Sequence, residues 1–122
     1  MEKANLLNRA VIYARVASNS HNMKEINAQR ACCEQYIKEQ GYELAGVISS
    51  CGASGSVRHM AAMSDLRKGA RAGSFDKIIV VNLARISRSP QEIKLFIDEM
   101  SACGVTVESV NEPKGVSMLC HQ

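Results

Sequence analysis

The chain has 122 residues, enough for one domain with a core of its own and no need of a disulfide or metal staple. Its 46% hydrophobic and 22% charged residues exclude a disordered chain, while 4% aromatics and no Trp argue against a nucleic-acid surface built on base stacking. Lys and Arg outnumber Asp and Glu by 15 to 12, a net charge of +3 that permits nucleic-acid binding without arguing for it.

Residues 10–16, AVIYARV, are apolar and β-branched with no turn residue, and predict a buried strand. Asn22 with Glu25 three residues on is a capping-box-like start for a helix. Ile26, Cys33, Tyr36 and Ile37 follow at helical spacing, and Gly41 closes it. Residues 43–49 predict a second strand, and Ser50 to Ser56 a small-residue loop. A second helix runs from about Arg58 to Ala72 and ends at Gly73.

Lys77 to Val81, KIIVV, is a continuous apolar run expected of a strand covered on both faces. A polar-ended connection, NLARISR, leads to the clearest local signal in the chain: Ser89 as helix cap, Pro90 at the first helical position and Glu92 at the third. Ile93, Phe96, Ile97 and Met100 form the stripe of this third helix, and Val105 to Val110 is the fourth strand. The βαβαβαβ alternation predicts an α/β domain of three layers, a mostly parallel sheet with helices on both faces.

No run approaches the roughly 18–20 apolar residues of a membrane span. The N-terminus lacks the apolar stretch of a signal peptide. Cys32, Cys33, Cys51, Cys103 and Cys120 are odd in number with no CxxC spacing, which points to reduced thiols and a cytoplasmic location. The neighbours Cys32 and Cys33 read as two helix residues, one of them facing the core. His21, His59 and His121 are scattered, lie at no metal-ligand spacing from Cys, and read as polar surface residues.

Ligands of parallel sheets bind at the carboxyl ends of the strands. Three segments lie there: Arg15 to Ser20, Ser50 to Arg58, and Asn82 to Arg88. Strand alternation puts Tyr13, Arg15 and Ala17 on one face and Ala14 and Val16 on the other. An Arg at the end of an apolar central strand is costly unless it meets an anion. If the first and third strands are neighbours, Arg85 and Arg88 join Arg15 around one crevice, and guanidinium forks suit phosphate. Singly, each Arg also reads as an ordinary surface residue or a carboxylate partner. The dinucleotide fingerprint GxGxxG and the phosphate loop GxxxxGK[ST] are absent.

Taken together, AVIYARV, INAQR, ASG, SFDKIIVVNLARISRS and GVTVESVNEP resemble, in order from about residue 10 to 113, the catalytic domain of the serine recombinases: resolvases, invertases and large serine integrases. The resemblance implies a resolvase-like core over residues 1–113 with 114–122 as an exit segment. It also implies site-specific DNA recombination. A serine hydroxyl attacks a DNA phosphodiester, leaving a 5′-phosphoserine link, and arginines stabilise the pentavalent phosphate without metal or cofactor. By position, Tyr13, Arg15, Gln29, Arg85 and Arg88 match functional residues of the family, and Ser54-Gly55 matches its Ser-Gly after the second strand. The implied partner is the DNA phosphate backbone. The family's long dimerisation helix and DNA-binding domain have no counterpart in residues 114–122, so homo-oligomers or a partner recombinase are expected only in a longer context.

The departures are as informative as the matches. The nucleophile position is Ala17, and an alanine methyl cannot form a phosphoester. The Asp before the first Arg of the third loop is Ala84, the Asp ending the second strand falls on Ser50 or Cys51, and the Arg after Ser-Gly falls on Met60, with Arg58 two residues early. Ser18 is the alternative nucleophile: alternation faces it away from Arg15, and a bulge at the strand end is needed to re-aim it. The leading expectation is a recombinase-type domain impaired in cleavage. The alternatives are a non-catalytic module that binds DNA phosphates or a partner recombinase, an active recombinase using Ser18, and an α/β domain that binds a phosphorylated small ligand.

Overall fold

A computed structural model describes residues 8–16, 23–53 and 55–112. Their elements follow in the order β1 (Arg9–Val16), α1 (Met23–Gln40), β2 (Glu43–Cys51), α2 (Val57–Ala72), β3 (Lys77–Val80), a 3-10 turn (Leu83–Arg85), α3 (Pro90–Ala102) and β4 (Thr106–Ser109). The described sheet has four strands in the order β2-β1-β3-β4, every pair parallel. The predicted three-layer α/β architecture is therefore the observed one. Strand ends shift slightly: β2 runs two residues further because Ser50 and Cys51 still pair with Arg15 and Val16, and β3 and β4 are trimmed to four residues each. Asn22, the expected cap of α1, lies outside the described residues.

β1 is central, with neighbours on both edges and helices over both faces, which is why it reads as a run of apolar residues with no alternation. Its even residues face α1: Ala10 and Ile12 pack with Cys33, Ile37 and Ile79, and Ala14 and Val16 with Ile26. Its odd residues face the other way. Val11 and Tyr13 join Ile78 and Val80 beneath Met63 and Leu66 of α2 and Phe96, Ile97 and Met100 of α3. One extra residue on β2, Ala45, bulges the pairing between Ala10 and Val11.

The helix ends follow their local chemistry. Ser89 caps α3 by accepting from the Glu92 N–H at 3.3 Å, with Pro90 in the first turn. Gly73 ends α2 at φ 72°, the left-handed region where a side chain is penalised. On the α1 face, the half-buried Glu108 carboxylate is satisfied by the hydroxyls of Tyr36 at 2.7 Å and Tyr42 at 3.0 Å and by Lys77 at 3.4 Å. Burial, joined by that carboxylate, pushes the Tyr42 phenol up to about 12. Among the described residues, no helix is long and apolar enough to cross a membrane.

The chain moves from β1 to β2 on one side and then to β3 on the other. The strand order therefore reverses between β1 and β3, and a crevice is expected outside their carboxyl ends.

Candidate functional site

β3 pairs with β1 only over Ala10 to Ile12, so the last part of β1 loses its strand neighbour on that side. Gln29, buried on α1, takes its place: its Oε1 accepts from the Arg15 N–H at 3.2 Å and its Nε2 donates to the Arg15 carbonyl at 2.9 Å. A side-chain amide thus supplies the donor and acceptor that a strand would supply.

The Arg15 side chain is 3% exposed and enters the space between the strand ends. Its Nε donates to the Arg85 carbonyl, one terminal nitrogen to that of Gly52 and the other to that of Ala84, each at 2.9 Å. The expectation that this buried guanidinium needs an anion is corrected: three backbone carbonyls of two loops satisfy it. Carbonyl dipoles offset the desolvation that a lone buried charge would meet. Burial nonetheless holds its pKa below the ordinary arginine value, Tyr13 acting in the opposite direction and the charges of Arg85 and Arg88 adding to the depression.

Arg85 lies across from it, its terminal nitrogen donating to the Arg15 carbonyl at 3.1 Å. Its Nε is buried with no hydrogen-bond partner, and so is Asn82 Oδ1 in the same connection; these are the unpaired buried side-chain polar atoms among the described residues. Burying polar atoms without partners costs free energy, so this connection is held at some expense to stability. Arg88 is exposed four residues after Ala84, near enough for its charge to act on Arg15. The connection is otherwise held firmly. Glu112 accepts from the Leu83 N–H at 2.8 Å, and the buried Ser87 donates to Glu92 at 2.6 Å.

Behind Arg15 lies a second polar feature. The Tyr13 hydroxyl is 2.9 Å from Ser50 Oγ and 2.8 Å from His59 Nδ1, and all three residues are buried. Burial raises the Tyr13 pKa, opposed by the Ser50 hydrogen bond and the Arg15 charge. Burial lowers that of His59, as does the Arg15 charge, while a hydrogen bond to the Ile86 backbone opposes them. The reading of His59 as a surface residue is thereby overturned: it is 4% exposed. The signal was present in the sequence, because His59, Met63, Leu66 and Ala70 follow one another at helical spacing on the buried stripe of α2.

Of the sequence candidates, the fold brings Tyr13, Arg15, Gln29, Arg85 and Arg88 to the carboxyl edge around the β1–β3 switch point. Ser18, Ala17, Ser54, His21 and His121 lie outside the described residues. Met60 is exposed and lines a groove of about 300 Å³ between α2 and α3. Cys51 is half-buried against Ala14, Val16 and Ile26, and Cys33 is buried as expected of one of the vicinal pair. Sequence reasoning missed the Gly52, Ala84 and Arg85 carbonyls, for which no side-chain signal exists.

Comparison with known proteins adds to this geometry. The family model described as the N-terminal domain of resolvases matches residues 10–118. No curated protein sequence matches the chain. Among solved structures, the N-terminal catalytic domain of TP901-1 integrase is similar with a TM-score of 0.76 at 22% identity, over 93% of this chain and 92% of that one. A resolvase-family site-specific recombinase from Streptococcus pneumoniae gives 0.76 at 19% identity, over 93% and 83%. The C-terminal catalytic domain of ISC1926 TnpA, an IS607-like serine recombinase, gives 0.72 at 28% identity, over 84% and 70%.

Proposed function

The chain belongs to the resolvase N-terminal domain family, and from that membership we propose that it is a serine-recombinase catalytic domain that binds the DNA phosphate backbone in the Arg15–Arg85–Arg88 crevice and is impaired in strand cleavage. The observation that carries the binding half is the gathering of three guanidiniums at the carboxyl end of β1 and β3, with the half-buried Arg85 and the exposed Arg88 both near enough for their charges to act on Arg15. Clustered guanidiniums repel one another, and a phosphodiester supplies the negative charge and the acceptor oxygens that suit their forks. Arg15 contributes charge from behind, and its three carbonyl contacts hold the loops in place. In this reading Arg85 and Arg88 touch phosphate, while Arg15, Gln29 and Tyr13 position them.

The impairment half rests on the sequence. Nucleophilic attack on phosphorus needs a hydroxyl within reach and in line with the leaving oxygen. Position 17 offers a methyl group, and Ser50, the described hydroxyl closest in sequence register to Arg15, is buried and engaged with Tyr13. Electrostatic holding of DNA survives such a loss, with strong salt dependence.

The test incubates the chain and its Ser18→Ala variant with supercoiled and nicked DNA, reading binding and denaturant-resistant protein–DNA adducts separately. Salt-sensitive binding with no adduct from either protein is expected. An adduct formed by the parent and lost in Ser18→Ala makes Ser18 the nucleophile and overturns the impairment. No binding at low salt overturns the phosphate reading.

A further inference from the structure

The Ser50–Tyr13–His59 chain is a buried line of polar groups of which the phosphate reading uses Tyr13 alone. Its direction follows from its ends. With Nδ1 set 2.8 Å from the Tyr13 hydroxyl, a neutral ring that carries its hydrogen on Nε2 is the tautomer that leaves Nδ1 open to accept. Nδ1 is then an acceptor, the Tyr13 hydroxyl donates to it at 2.8 Å, and Ser50 donates to Tyr13 at 2.9 Å.

That order can turn over without moving a heavy atom. If Nδ1 gains a proton, it donates to the Tyr13 oxygen, Tyr13 donates to Ser50 Oγ, and the Ser50 hydrogen rotates away, since hydroxyls both donate and accept. The charged and polar groups around the ring are Tyr13 and Arg15 from β1, Ser50 from β2 through Tyr13, Arg67 from α2, the Ile86 backbone, and Glu92 from α3. Arg15 is the cation that opposes protonation most strongly among them, and it is also the cation at the back of the crevice. An anion bound in the crevice offsets that opposition.

We infer that Ser50, Tyr13 and His59 form a reversible hydrogen-bond chain through which the crevice takes up a proton when it binds a phosphodiester, the proton coming from solvent and residing on His59. This rests on the phosphate reading of the crevice. By linkage, a lower pH tightens DNA binding, and bound DNA makes His59 easier to protonate. His59 and Tyr13 are thus positioning residues whose protonation state tunes the field at the crevice.

The probe is a short blunt DNA duplex with 5′-hydroxyl ends. Its diesters keep their charge, whereas a terminal phosphate titrates near about 6 and would mask the effect. Calorimetric titration in two buffers of different ionisation enthalpy, at mildly acidic pH, reads the protons taken up per complex. The full chain is expected to take up a fraction of a proton and to bind more tightly as pH falls, by at most about tenfold per pH unit. His59→Gln and Tyr13→Phe are expected to lose that uptake even where they still bind. Nitrogen-resolved NMR of the unsubstituted chain provides a readout free of folding defects: His59 should carry its hydrogen on Nε2 when neutral, and its titration should move to higher pH when duplex is added. Equal uptake in the parent and both variants, or a His59 titration that duplex leaves in place, overturns the inference while the phosphate reading stands. Absence of any duplex binding overturns that reading and the inference with it.

Discussion

Arg15 and Arg85 hold each other by their backbones: the Arg15 Nε donates to the Arg85 carbonyl at 2.9 Å, and an Arg85 terminal nitrogen donates to the Arg15 carbonyl at 3.1 Å. Two like charges are thereby fixed side by side across the β1–β3 switch point. Their mutual repulsion is offset by carbonyl dipoles, and an acceptor bound between them would relieve it further.

Removing the Arg15 side chain leaves the Gly52, Ala84 and Arg85 carbonyls without their donor. Arg15→Ala is expected to cost about 2–4 kcal/mol of folding stability, since unsatisfied buried acceptors carry most of the penalty. Arg15→Lys should recover only part of this, because one ammonium cannot reach three carbonyls set in a fork. Urea unfolding of the two variants beside the parent chain measures both effects.

Gln29→Leu keeps the size of the side chain but leaves the Arg15 N–H unpaired on the side that β3 has vacated. A loss of about 1–3 kcal/mol is expected, with faster hydrogen exchange at the end of β1 than at its centre. A protection pattern identical to the parent's would show that water replaces the amide without cost.

Arg88 is exposed, so its replacement tests charge without disturbing the core. Arg88→Ala should change stability by no more than about 0.5 kcal/mol. If it touches a phosphate, the slope of log affinity for DNA against log salt should fall by about 1. Arg85→Ala should lower both the slope and the stability, because its side chain also braces Arg15.

His59 has a folded-state pKa below the ordinary 6.5, through burial first and the Arg15 charge second. Its neutral form is therefore the one that folding favours. Above the unfolded value neither state carries the proton, and the stability it supports is fully present. As pH falls from there through the folded value, the unfolded chain takes up a proton that the folded chain resists, and that stability is lost. His59→Gln should flatten this part of the stability profile. Urea midpoints of both proteins across the acid range read the difference, and parallel profiles would place the acid sensitivity elsewhere.

Much of this molecule was legible in its residues alone. The period-two and period-3.6 patterns set the order of strands and helices, Ser89 and Pro90 marked the start of α3, and the βαβ order made the strands parallel, which put Arg15, Arg85 and Arg88 at one edge. Those inferences rest on side-chain chemistry repeated at short range. What tertiary structure alone decided is who meets whom there. The acceptors of Arg15 are backbone carbonyls 37, 69 and 70 residues away, and every residue has such a carbonyl, so no letter of the sequence marks them. The pairing of Tyr13 with His59, 46 residues apart, likewise depends on how α2 lies across β1. A buried polar group takes whatever partner the packing of distant elements delivers, and that geometry exists only once the sheet has closed under its helices.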